Sequence, residues 1–210
     1  MSAEKEKELL ENCIGVFMRL GIRSVTMDDL AKNLSISKKT LYKYFNDKGD
    51  LVEKAIRAKT SFERCTINQI CEESNNAVDE LFGITKKVTA NLKEVHPSIF
   101  FDLEKYYPEA WSAFQDHKHT YVFECIYNNL ERGKKEKLYR QDLNSTIIAK
   151  TYVLRMDDMM NQAYFPATDF NFSTVYLELF RYHIRGIASD KGIEYLIEKV
   201  KQEKINNLNS

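Results

Sequence analysis

The chain has little of what would make it a sheet protein, a disulfide scaffold or a membrane protein. Three prolines and seven glycines leave few places for tight turns, and no β-hairpin signal such as Asn-Gly is present. The four cysteines, Cys13, Cys65, Cys71 and Cys125, form no C-x-x-C pair and have no histidine at metal-ligand spacing. Ordinary thiols in a reducing compartment are expected rather than a disulfide framework or a zinc site. No run approaches the ~18 apolar residues of a membrane span, and MSAEKEKELL lacks a signal-peptide core, so a soluble, cytoplasmic protein without membrane contact is expected. No glycine-rich phosphate loop, nucleophile elbow, HExxH or paired catalytic carboxylates occur. The expectation is a protein without catalytic residues, metal or cofactor, and not an enzyme. His96, His117, His119 and His183 stand outside any motif and read as solvated, as do Arg155, Asp157 and Asp158 on a charged helix face.

What the chain does have is leucine, isoleucine, lysine and glutamate at helical spacing, which predicts an all-α fold. With 210 residues it can bury a sizeable core without staples. Lys plus Arg and Asp plus Glu balance at 31 each, but unevenly: residues 1–60 carry 12 basic against 9 acidic residues, net +3, and the remainder is net −3. Five lysines and one acid fall between Lys32 and Lys48. In a neutral protein that local concentration points to an anionic partner.

The segment Thr26–Phe45, TMDDLAKNLSISKKTLYKYF, is the most informative. Thr26 with Asp29 three residues on predicts a capped helix start, and Met27, Leu30, Ala31 and Leu34 share one face. Ser35-Ile36-Ser37 makes a turn in which Ser37 caps a second helix. There Leu41 and Phe45 point inward, while Lys39, Thr40 and Lys43 point outward, flanked by Tyr42 and Tyr44; Asn46-Asp47 ends the helix. Lys38 and Lys39 in its first turn oppose the helix dipole at about 0.3–1 kcal/mol each. A phosphate at that N-terminus would turn repulsion into attraction. Leu9, Leu10, Cys13, Ile14, Phe17 and Met18 form a preceding helix that backs this hairpin and stops at Gly21.

From Gly21 to Leu51 the chain resembles the DNA-binding head of the TetR family of transcriptional regulators. The residues carrying this are Gly21, Thr26, Leu30-Ala31, Ile36-Ser37, Thr40-Leu41-Tyr42, Tyr44-Phe45, Lys48 and Leu51. The resemblance implies a three-helix helix-turn-helix head over residues 1–60, motif 26–45, and a helical effector-binding and dimerisation body over residues 61–210. It implies that Ser37, Lys38, Lys39, Thr40, Tyr42 and Lys43 face the major groove, with Thr26, Tyr44 and Lys48 on phosphates. It also implies a homodimer on a double-stranded, inverted-repeat operator, and a repressor released by a small-molecule effector. Ser35 stands where the family usually has glycine, Gly49 where an acid is common, and Lys39 where a small residue is frequent.

In the body, helices are expected over 48–74, 75–95, from Pro108 to about Arg132, 143–163 and 173–187, with a charged loop at 133–137 and a final amphipathic segment. The last two long helices before the tail occupy the family's dimer-bundle position. Aromatics crowd the stretch from Phe100 to Tyr127, and Met156, Met159 and Met160 cluster further on. An apolar or aromatic effector would suit such walls, and Phe101, Trp111, Phe114, Tyr152 and Met156 are the expected lining. The alternative is a DNA-binding protein whose body is a protein-interaction module with no small-molecule ligand.

Overall fold

The computed structural model describes residues 2–208, and the side chains of residues 4–202. Among these the chain is all-helical with no strand; one isolated bridge joins Tyr139 to Ala188. Helix α1 (Ser2–Leu20) buries Leu9, Cys13, Val16 and Phe17 along one stripe. It stops at Gly21, whose φ of 80° is left-handed and whose missing Cβ would lie 2.8 Å from Ser98 Oγ. Glycine is required there both by the backbone and by the approach of the body.

Two short helices, α2 (Met27–Asn33) and α3 (Lys38–Tyr42), lay Leu30, Leu41 and Phe45 onto α1, all three essentially sealed from solvent. The 26-residue α4 (Lys48–Glu73) starts in this head at Asp47, whose side chain accepts from Asp50 N, and runs about 39 Å into the body. The head core does not stop at the expected boundary near residue 60: Ile99, Leu103, Ala110 and Ala113 of the body belong to the same buried cluster.

The body is α5 (Ala77–Lys93), α6 (Ile99–Tyr106), α7 (Pro108–His117), α8 (Phe123–Lys135), α9 (Ser145–Met160), α10 (Phe172–Ile187) and α11 (Asp190–Leu208). Asparagines cap α5, α9 and α10 through Asn76, Asn144 and Asn171, and Pro108 opens α7. The helix expected from Pro108 is interrupted by a π-helical turn, Lys118–Val122, between α7 and α8. The charged loop expected at 133–137 is partly helix, since α8 reaches Lys135. Tyr139 folds back over Gly133, where any Cβ would sit 2.0 Å from the ring, and its hydroxyl donates to Ala77 O and Asn129 Oδ1 at 3.0 Å. Arg132 bonds Glu80, Glu136 and the Ser74 carbonyl, tying α8 to the α4–α5 corner. No described helix is long and apolar enough to cross a membrane.

Candidate nucleic-acid interface and the cavity behind it

The turn between α2 and α3 is built from caps. Thr26 Oγ1 accepts from Asp29 N at 3.1 Å while Asp29 Oδ2 accepts from Thr26 N at 2.9 Å, a reciprocal capping box. The Thr26 hydroxyl, donating to Asp29 Oδ2 at 2.6 Å, and then the Thr26 N–H hold the Asp29 carboxyl below its ordinary range. At the far end Ser35 takes φ 54°, with Ser35 N on Lys32 O and Ile36 N on Ala31 O. This is a Schellman closure with serine in the left-handed position. Ser37 then caps α3, accepting from Thr40 N at 3.0 Å and sharing a hydroxyl bond with Thr40.

Helix α3 closes sooner than the expected limit at Asn46. Lys43 N is shared between Lys39 O and Thr40 O, and Tyr44 N bonds Leu41 O, so the last turn tightens and drops Phe45 into the core. Leu41 and Phe45 are 0% and 1% exposed, while Ser37, Lys38, Lys39, Tyr42 and Lys43 are exposed and Thr40 and Tyr44 half-buried. Lys38 is held by Asp28 at 2.6 Å, which raises its pKa and relieves part of the first-turn repulsion. Lys39 and Lys43 remain on the outer face, with Lys43 Nζ 5.8 Å from the Tyr44 ring centroid. Thr26 is the exposed N-cap of α2, and Lys48 opens α4. Lys48 is half-buried, donates to Arg23 O at 3.4 Å and lies over the Tyr107 ring; burial pulls its pKa down.

Behind the head, His96 N donates to Met18 O at 2.7 Å, and Asp102 on α6 accepts from Arg23 N and Ser98 Oγ at 3.0 Å. The α1–α2 connection is therefore fastened to the body by main-chain and buried carboxylate bonds.

A cavity of about 100 Å³ lies next to this junction, with Met18 and Ile56 of the head among its walls. Phe114 and Met156 of the expected lining residues face it; Phe101, Trp111 and Tyr152 do not. Phe101 is exposed and stacks edge-on with Tyr106; Trp111 lies one layer out, its ring on Phe114; and Tyr152 stands behind the wall, its hydroxyl 3.0 Å from that of the lining residue Tyr176.

The polar wall was not anticipated. His117 on that wall, and His183 away from it against the Tyr152 ring, both read as solvated, are 5% and 8% exposed, and desolvation takes both down to about 4. Lys118 is fully buried and paired with Asp157, which is not merely part of a charged face. Glu63, pushed upward by burial, stands 4.0 Å from His117 Nε2, so at neutral pH that contact is no ion pair. In the sequence DHKH is a polar run. His117 and Lys118 within it are buried, while Asp116 and His119 stay exposed; that burial follows from α4 and α9 packing over the turn, and the lone local hint is its place among aromatics.

A capped tight turn, two short helices and a basic outward face define a helix-turn-helix protein. Residues 9–55 match the model of bacterial regulatory proteins, tetR family. The chain is 25% identical over 106 residues to the biofilm operon icaADBC negative transcriptional regulator IcaR of Staphylococcus aureus, a match covering 50% of this chain and 56% of IcaR. It thus spans little more than half of that relative. It is 26% identical over 165 residues to the HTH-type regulator YvaF of Bacillus subtilis, covering 77% and 82%. The TetR-family regulator SCO4454 of Streptomyces coelicolor shares the fold with a TM-score of 0.67 at 17% identity, over 89% of this chain and 97% of its own. The head thus matches the tetR-family model, and the chain as a whole shares the fold of a solved TetR-family regulator.

Proposed function

We propose that the protein is a homodimeric repressor that reads an inverted-repeat operator through α3 and leaves it when a small molecule fills the cavity. The observation carrying this is the division of α3: Leu41 and Phe45 sealed beneath, Lys39, Tyr42 and Lys43 held toward solvent. Lys39, Thr40, Tyr42 and Lys43 meet base edges in the major groove, with Ser37 and Lys38 at the entering end of the helix; Thr26, Tyr44 and Lys48 hold phosphates on either side. Repression is favoured by the similarity to IcaR, a negative regulator.

Dimerisation through α9 and α10 is supported by Ile147, Leu154 and Tyr182, which are 59%, 58% and 68% exposed on those helices. Two heads then engage half-sites about one helical turn, or a multiple of it, apart. An effector that prefers the DNA-incompetent arrangement by about 1–3 kcal/mol weakens operator binding about 5- to 150-fold.

Fluorescence anisotropy on an operator recovered by in vitro selection tests the interface. Lys43→Ala and Tyr42→Ala each lose about 1–3 kcal/mol on the specific site. Lys48→Ala weakens all sequences alike and reduces the salt slope by about 1. Unchanged binding by all three variants removes α3 and the foot of α4 from the interface.

A further inference from the structure

The most deeply enclosed polar residue of the cavity wall is Lys118. Lys118 opens the π-helical turn and its side chain is wholly enclosed. The ring centroids of Trp111 and Phe114 lie 5.8 and 5.3 Å from its Nζ, and Met156, Met159 and Met160 also line the cavity. An ammonium carries three donors. Among the described residues this one has a single hydrogen-bond acceptor, Asp157 Oδ1 on α9.

Asp157 is not dedicated to it: the carboxylate is one-third exposed and also accepts from Gln115 Nε2 at 3.3 Å. Gln115 Oε1 is itself buried without a partner. A buried cation needs close anionic company and further hydrogen bonds to offset its desolvation, and here burial lowers the lysine to about 8, with Glu104 opposing. Lys59 adds a second amine to the wall beside Glu63, whose pKa burial raises against the opposing pull of Lys59 and Lys87. Asp157 is thus the one carboxylate hydrogen-bonded to Lys118 among the described residues, and it is shared.

We propose that the cavity takes a small apolar carboxylate, its hydrocarbon body against the methionine and phenylalanine walls and its carboxylate on Lys118, in competition with Asp157. This rests on the reading of the cavity as the effector site and names the class of effector. At about 100 Å³ the cavity is smaller than an engineered one of about 150 Å³ that holds benzene, so a short chain fits it directly and a ring enters as the flexible side chains of Met18, Met156, Met159 and Met160 move aside. Capture of Lys118 by the ligand frees Asp157 and unties the α7–α8 turn from α9, the helix that carries Ile147 and Leu154.

Thermal-shift measurements on the full chain with three probes of one shape, phenylacetate, 2-phenylethanol and 2-phenylethylamine, decide the class. Phenylacetate at about 100 times its dissociation constant raises Tm by about 5–10 °C, and the neutral and cationic probes do not. Lys118→Met, which replaces a buried charge by a chain of similar length and leaves Asp157 solvated, weakens phenylacetate about 10-fold or more. Asp157→Asn removes the competitor and tightens it, giving a second variant should the first fold poorly. Equal response to all three probes, response to the amine instead, response to none, or undiminished phenylacetate binding by Lys118→Met overturns the carboxylate assignment. Operator anisotropy separates this from the reading beneath it. If the amine or alcohol binds and releases DNA, the effector cavity stands and its ligand class falls. If phenylacetate binds through Lys118 without releasing DNA, the class stands and the effector role falls.

Discussion

Ser35 holds a conformation that L residues resist, φ 54° at the C-terminal closure of α2. Replacement by glycine removes that strain but widens the unfolded ensemble, so Ser35→Gly is expected to stabilise by about 0.5–1 kcal/mol. Calorimetry should register about 1–4 °C in Tm; a fall would mean that the serine hydroxyl contributes more than its backbone costs. The buried histidines set a pH dependence. His117 and His183 titrate near 4 in the fold, against an ordinary value near 6.5, so the unfolded chain binds the additional protons. Their contribution is complete above pH 6.5 and is lost as pH falls through 6.5 toward 4. Between pH 7 and pH 5 each should cost about 1–2 kcal/mol, offset in part by Glu63, which burial moves the other way. Urea denaturation at pH 7, 6 and 5 checks this, with His183→Gln removing roughly half of the loss; a flat profile in the wild type would refute it. Asp29, Asp79, Asp142 and Glu131, all lowered by their partners, add a further loss only under more acidic conditions.

At the scale of the element, α2 and α3 were legible because their signals are local. A capping threonine with its aspartate, a capping serine, and a leucine and phenylalanine four apart decide where each helix starts and which side is buried. The early closure of α3 was not legible, because it depends on shared carbonyls in one turn rather than on residue type. Long helices were located to within a few residues by apolar spacing and caps, but that spacing carries no information about a π-helical slip. The cavity was the least legible part. Lys118 and His117 are buried by α4, some 55 residues earlier, and by α9, some 40 later, and a charged residue in an apolar site breaks the pattern on which burial is inferred. Trp111 and Phe101 illustrate the converse: aromatic side chains near the right place, one a layer behind the wall and one outside it. The Lys38–Asp28 pair is a related surprise, an attachment between α2 and the foot of α3 that a DNA phosphate would have to displace. Asp28→Asn is therefore expected to strengthen nonspecific DNA binding a few-fold at low salt, an effect that should fade as ionic strength screens it. Anisotropy on random duplex across a salt series measures it, and weaker binding at every salt would show that Asp28 supports the interface instead.

For the whole molecule, the exposed apolar side chains of α9 and α10 make the strongest statement about assembly. Leu154→Glu combined with Tyr182→Glu places like charges on the face assigned to the partner, and sedimentation equilibrium should report a single chain with operator affinity greatly reduced. A dimer that survives this double change would place the seam elsewhere. The shared core of head and body, through Ile99, Leu103, Ala110 and Ala113, argues that the two regions fold as one cooperative unit rather than as beads on a linker.

Fifteen residues of uninterrupted α4 separate Lys48, beside the head's outer surface, from Glu63 at the cavity wall, a straight arm of about 22 Å. A lean of about 5° at the cavity end sweeps the other end through about 2 Å. In the proposed dimer the two-fold axis repeats that sweep in the partner, so the gauge between the two α3 helices alters by up to about 4 Å, more than a hydrogen bond to a base edge can stretch.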